Sequence, residues 1–426
     1  MTHHAADGCC RREILPSGIT LLTEEMPSVR SAALGIWIEA GSRDETEAEG
    51  GMAHFVEHLL FKGTDRRDTG RIAREVDALG GQMDAFTSRE YTCFFITVLD
   101  DRLAQASDIL ADIFLNSTFP EREIALERGV VLEEIRMSQD NPEDNLQELT
   151  IASVWGAHPL ARSILGRPET VGSFSREDVL SFFRRHYHGG RAFVACAGNV
   201  QHDRVRDLVA RDFGGAAAGP PAGEDPPPRF SSGVVRHEKP LNQVYIDINL
   251  PGISQTHPLR YPVHVLNAIL GGSLSSRLFQ RIREERGLVY SIYSGLSSFG
   301  DSGLLHLSAS TGPALAAEVT QRMVDELQVL RRERPDAEEL RRAKDHLIGN
   351  VVLSMESSSN RLNKLGKQEI YYRRRVSLEE TIQAIEAVDE AALEEASLLL
   401  LGRGEIAFGF LGPAQGIPDD GALPSW

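Results

Sequence analysis

The chain is poor in cysteine. Its 426 residues include four, Cys9, Cys10, Cys93 and Cys196, and no two stand at Cys-x-x-Cys spacing. Thiolate zinc sites use such closely spaced pairs, so that class of metal site is not expected. A chain of this size needs no disulfide scaffold, and the four read as free thiols of a reducing compartment. Long apolar runs are lacking too. No stretch approaches the ~18 continuous apolar residues that span a bilayer. The opening MTHHAADGCCRREILPSG has no apolar h-region and no cleavage-site pattern, so it does not read as a secretory signal. His3 and His4 within it read as tail rather than as metal ligands. Excess positive charge is also missing. The formal net charge is -17, and an acidic surface repels both nucleic acid and anionic membranes. The expectation is a cytoplasmic protein without a nucleic-acid or membrane partner.

What is present is an ordinary globular composition, long enough for two or three domains. Residues 214–228, GGAAAGPPAGEDPPP, are too rich in Gly and Pro to sustain a helix or a central strand. They read as a linker, with domains at 1–213 and 231–426 and the joint at 214–230. The two halves share an order of elements. A strand at 31–39 precedes a helix at 52–61, and a strand at 243–250 precedes a helix at 261–270. Helices at 102–116 and 121–138 match helices at 314–330 and 336–356. The offset holds at roughly 210 to 216 residues, the mark of a duplicated α+β unit.

One short segment carries chemistry: His54-Phe55-Val56-Glu57-His58, inside GGMAHFVEHLLFKGT. On a helix, positions i and i+4 share a face about 6 Å apart, so His54 and His58 can hold one metal ion. Zn²⁺ accepts neutral imidazole readily. Glu57 precedes the second histidine, which makes this the reversed H-x-x-E-H motif of the inverzincins. Zinc lowers the pKa of its water to about 7. Glu57 is then the general base, passing the proton on to the leaving amine. A catalytic zinc needs a third protein ligand. Candidates lie at 121–140, where Glu127 and Glu134 stand seven apart on one helix face flanked by Ile124, Val130 and Val131. A buried carboxylate needs a cation or donor as partner, which zinc supplies. The plain alternative is two surface histidines on an amphipathic helix. His158, His186 and His188 read as hydrogen-bonded or surface histidines, and 412–426 as a loose tail.

These residues resemble the M16 family of metallopeptidases, in the subgroup of mitochondrial processing peptidase and its bacterial relatives. The resemblance covers nearly the whole chain. It implies that Glu134, in Val131-Leu132-Glu133-Glu134-Ile135, is the third zinc ligand and that Glu127 supports the site. Phe61-Lys62-Gly63-Thr64 continues the motif as in bacterial members. Gly80-Gly81 and Asp84-Ala85-Phe86-Thr87 resemble the family segment GG-x-x-N-A-x-T, whose strand edge pairs with substrate backbone. Asp84 stands where the family has Asn, which removes an amide donor and adds charge. In the second half, Ser275 to Phe279 lead to Arg283 and Tyr290, seven apart. They match a family pair that holds the substrate carbonyl near the metal. The family architecture is an α/β-roll domain in each half, the chain forming half of a clamshell. The resemblance implies a Zn²⁺ endopeptidase acting on unstructured peptides or extended segments. It also implies a homodimer in which Arg283 and Tyr290 of one subunit serve the zinc of the other. A heterodimer with a similar chain, or a non-catalytic structural subunit, are the alternatives.

Overall fold

A computed structural model describes residues 10–221, 223 and 225–426. Cys9, His3 and His4 lie outside the described residues. Among the described residues, no helix is long and apolar enough to cross a membrane. Cys93 and Cys196 are buried free thiols.

The first sheet has six strands: β1 (Cys10–Ile14), β2 (Thr20–Glu25), β3 (Ser31–Ile38), β4 (Gln82–Thr87), β5 (Thr92–Leu99) and β6 (Ala192–Gly198). Their order is β1-β2-β6-β3-β5-β4. The second has five: β7 (Gly233–Glu238), β8 (Val244–Pro251), β9 (Ser291–Ser298), β10 (Gly303–Thr311) and β11 (Ala407–Gly412), in the order β7-β11-β8-β10-β9. Without β1 the two sheets have one topology. β2 runs parallel to β6 as β7 does to β11, and the other pairs are antiparallel. The matching helices keep the same spacing: Met52–Leu60, Leu103–Asn116 and Glu121–Asp140 against Arg260–Leu270, Ala316–Arg332 and Ala337–Ser354. Two copies of one α+β unit account for both sheets.

The central strand shows why each sheet is covered on both sides. β3 reads SAALGIWI and is buried nearly throughout. Alternate side chains leave a strand on opposite faces. Ala32, Leu34, Ile36 and Ile38 join one core with the helices Met52–Leu60 and Leu103–Asn116. Ala33 and Trp37 join a second core with Leu362 and Leu365. Those two leucines sit on the helix Ser358–Tyr372, far along the chain. Its Gly366 passes so close that a Cβ there would lie 2.1 Å from Trp37 Cε2. Reciprocally, the helix Pro142–Trp155 packs on β7, β8 and β11. There a Cβ on Gly409 would lie 2.1 Å from Thr150 Cγ2.

The compact units therefore do not follow the chain in two unbroken stretches. The first takes the described residues up to Arg136, then Arg162–Asp225 and Ser354–Ser377; the second takes Met137–Ala161, Pro226–Leu353 and Leu378–Trp426. Strands β1–β6 all precede residues 214–230 and β7–β11 all follow them, but one helix of each repeat goes to the other repeat's sheet. Segment 214–230 contains no helix or strand among its described residues. Part of it is nonetheless pinned to the first unit, where Gly189 N–H donates to the Ala217 carbonyl at 2.7 Å. The expectation of a loose tail at 412–426 is corrected. Gly412 closes strand β11, and Ile417, Leu423 and Trp426 pack against the second unit's core. Three apolar side chains outweigh the ordering cost of a short terminus.

Candidate metal centre

The helix Met52–Leu60 is built to face two ways. Met52, Ala53, Phe55, Val56, Leu59 and Leu60 are fully buried, which leaves His54, Glu57 and His58 on the remaining face. Its start is fixed by two devices. Gly51 has φ +93, and a Cβ there would lie 2.7 Å from the Leu165 carbonyl oxygen, so glycine is required. The buried carboxylate of Glu45 then accepts from Gly51 N–H at 3.0 Å and Ala53 N–H at 2.8 Å, satisfying donors that a helix start leaves open. Burial pushes the Glu45 carboxyl well up, against those two bonds.

Glu134 Oε2 lies 3.6 Å from His54 Nε2 and 3.6 Å from His58 Nε2. The ligand atoms of these three residues all fall within 4.8 Å of one another. With zinc–ligand distances of about 2.0–2.1 Å, a tetrahedral site places neighbouring donors about 3.4 Å apart, so the two separations from Glu134 are already close to that spacing. Two imidazoles and one carboxylate also suit zinc chemically. Glu127 stands behind them. Its Oε2 lies 3.1 Å from His58 Nδ1 and its Oε1 2.7 Å from Lys62 Nζ. That contact turns His58 Nε2 toward Glu134, the outer-shell role that orients a ligating histidine. His54 Nδ1 is buried with no hydrogen-bond partner, so no corresponding contact orients His54.

The electrostatics follow from burial and from like and unlike neighbours. Burial pushes the His54 imidazole down to about 4, and His58 beside it adds to this, so His54 is neutral and its nitrogen free to bind. Burial also works against charge on His58, but hydrogen bonds to Glu134 and Glu127 outweigh it and raise its pKa. The bond from His58 lowers Glu134. Burial raises the Glu57 carboxyl, opposed by a hydrogen bond from Thr87; the negative charges of Glu134 and Asp84 add to the rise.

Strand β4 runs past Glu57. It is the terminal strand of its sheet. Thr87 Oγ1, at its end, donates to Glu57 Oε2 at 2.5 Å. Asp84 is exposed, Ala85 half-buried against the first core, and Phe86 packs edge-on to Trp37 with ring centroids 5.7 Å apart. Phe86 is thus committed to packing. Arg283 and Tyr290 belong to the second unit. Arg283, in the π-helical segment Phe279–Glu284, lies 4.5 Å over the Phe279 ring and 5.8 Å from the ring of Tyr290, which is 79% exposed. The structure brings together His54, Glu57, His58, Glu127 and Glu134, and separately Arg283 and Tyr290. His158 bonds the Pro226 carbonyl, and His186 and His188 bond Arg191 and the Arg185 carbonyl. Sequence reasoning missed three contributors. Lys62 was legible, four residues after His58 on the same face. Thr87 stood in the segment matched to the family but with no role attached, and Glu45 carries no local signal, because a strand and a loop deliver them.

Comparison with known proteins places this geometry in context. The family described as insulinase (peptidase family M16) matches residues 20–168, and the peptidase M16 inactive domain matches residues 173–347. A Mycobacterium leprae protein named as an uncharacterized zinc protease is 40% identical over 401 residues, 92% of this chain and 88% of that one. A Bacillus subtilis protein of the same description is 37% identical over 379 residues, 89% of this chain and 92% of that one. Among solved structures, a peptidase M16 inactive domain from Pseudomonas fluorescens superposes with TM-score 0.90 at 21% identity, covering 95% of this chain and 98% of that one. A protease from Helicobacter pylori does so with TM-score 0.88 at 21% identity, covering 95% and 100%.

Proposed function

This chain belongs to the insulinase (M16) family of peptidases, and from that premise we propose that it is a zinc-dependent endopeptidase with His54, His58 and Glu134 as metal ligands. One observation carries the reading: a single carboxylate oxygen of Glu134 stands 3.6 Å from the Nε2 atoms of both histidines. Zinc bound there supplies Lewis acidity, which acidifies water and polarises a peptide carbonyl.

The chain's own residues do the rest. Glu57 is the general base: it takes a proton from the attacking water and gives it to the departing amine nitrogen. Its burial and raised pKa suit both halves of that exchange. Thr87 holds the Glu57 carboxylate in place, and Glu127 does the same for the His58 ring. The exposed edge of β4 takes an extended peptide by strand addition. A folded substrate has no free strand to offer, so unstructured peptides and extended segments are the substrate class.

The decisive experiment is a peptide library incubated with the purified chain, with and without chelator, cut sites being read by mass spectrometry. Chelator-sensitive cleavage at internal bonds is expected, falling at least about 100-fold in Glu57→Gln with zinc retained. Cleavage unchanged by that substitution would refute the role of Glu57. Zinc at full stoichiometry with no cleavage would favour the non-catalytic partner subunit instead.

The substrate carbonyl also needs donors, and the exposed Tyr290 hydroxyl and the Arg283 guanidinium suit that task. In this reading the chain acts as a homodimer in which one subunit's pair serves the other's metal centre. Mixing Glu57→Gln subunits with Arg283→Ala/Tyr290→Phe subunits tests it. Random exchange makes half the dimers mixed, each with one complete site, so activity returns to about a quarter of wild type. No recovery after demonstrated subunit exchange would exclude sharing between identical subunits.

A further inference from the structure

The hairpin that ends β4 sets the phase of its hydrogen bonds. Ser88 N–H donates to the Tyr91 carbonyl, and the register runs from Thr87 opposite Thr92 to Gln82 opposite Thr97. In an antiparallel ladder bonded and non-bonded pairs alternate. Gln82, Asp84 and Phe86 therefore exchange bonds with β5, while Met83, Ala85 and Thr87 aim N–H and C=O at the open edge. Ala85 is central among these, and its N–H is already taken: Asp84 Oδ1 accepts it at 2.8 Å. The carboxylate thus lies along the edge itself. Asp84 is exposed, and among the described residues it forms no ion pair.

An arriving strand needs the Ala85 N–H, so the carboxylate must move off it. What replaces that bond depends on the incoming side chain. A neutral residue offers a displaced carboxylate only water, and an acidic one repels it. A lysine or arginine gives it a partner. We infer that Asp84 is a specificity-determining residue. It favours peptides that bring a lysine or arginine beside position 84 when they pair with β4, and it disfavours acidic residues there. The inference rests on β4 being the substrate-binding edge, as proposed above. Asparagine at this position would cap the same N–H through its amide oxygen yet carry no charge, so the isostere separates the two effects.

Binding tests this apart from catalysis. Short fluorescein-labelled peptides, identical except for Lys, Gln or Glu scanned through each position, are titrated by fluorescence polarisation against the zinc-loaded Glu57→Gln chain. The same series is run with Asp84→Asn and Asp84→Ala added. At one position Lys should bind about fivefold more tightly than Glu, the scale of an exposed ion pair, and the ratio should shrink with salt. Asp84→Asn should bring the ratio close to one. Asp84→Ala, which uncovers the Ala85 N–H, should bind the Gln peptide more tightly than its parent does. A Lys-over-Glu ratio undiminished in Asp84→Asn, or no preference in the parent, overturns the inference. Charge-selective binding of peptides that the Glu57-intact chain leaves uncut would support Asp84's role and count against the peptidase reading alone.

Discussion

Thr87 Oγ1 donates to Glu57 Oε2 at 2.5 Å, which ties the last residue of the edge strand to the one carboxylate on the histidine helix. In the proposed mechanism the strand that would receive a peptide and the group that would move its proton are therefore held in one register. Thr87→Val keeps the shape and removes the donor. A hydrogen bond to a charged group contributes about 1.5–3 kcal/mol, so kcat should fall roughly tenfold or more. KM and zinc content should stay near wild type, and Thr87→Ser should recover most of the rate. Full activity in Thr87→Val would remove this contact from the mechanism.

Glu127 divides its carboxylate between His58 Nδ1 and Lys62 Nζ. Substituting Glu127→Ala leaves the His58 ring free to turn and the ammonium of Lys62 unopposed beside the metal site. Loss of such an outer-shell partner weakens metal binding by about 10- to 100-fold. Competition with a fluorescent chelator reads this directly, and Glu127→Gln should lie between the two. Zinc affinity equal to wild type in Glu127→Ala would mean that His58 is oriented by its packing alone.

The residues that announced themselves in the sequence did so through local periodicity. His54, Glu57 and His58 share a face at spacings of three and four, and Glu127 and Glu134 share one at seven. The repeat was legible because matching elements kept their offset. What could not be read is where amphipathic helices go. Ser358–Tyr372 shows an apolar face, but periodicity gives a face and no address, and Pro142–Trp155 shows hardly any face at all. Each settles on the other repeat's sheet. The roles of Thr87 and Glu45 were hidden for a related reason, since a hydrogen bond across thirty residues or around a helix start is created by the packing.

The exchanged helix has a sharp test. A Cβ on Gly366 would lie 2.1 Å from Trp37 Cε2, and Trp37 is fully buried among Phe86, Tyr91 and Phe193. Neither ring nor helix can yield without opening that core. Overpacking of this kind costs about 1–3 kcal/mol, here set against a small gain in helix propensity. Gly366→Ala should therefore lower the Tm by several degrees, while Gly129→Ala, with open space around its Cβ in another helix, should not. Equal Tm values for the two variants would contradict the close approach.

His186 links stability to pH. Its ring is buried against Phe182, with Arg191 Nη1 2.5 Å from Nδ1 and Arg185 Nε 2.9 Å from Nε2. Burial, then Arg191 and Arg185, push its pKa from 6.5 down to about 3; Glu49 pulls the other way and His188 adds slightly to the fall. Between those two values the unfolded chain binds a proton that the folded chain refuses. Stability from this group is therefore complete above pH 6.5 and drains away as the pH falls toward 3. A loss on the order of 2 kcal/mol by pH 4.5 is expected from this group. His186→Gln has no proton to accept. Urea denaturation at a series of pH values should show the variant less stable than wild type at neutral pH and losing less on acidification. Parallel curves for the two proteins would mean that the acid limb comes from other groups and that His186 does not set it.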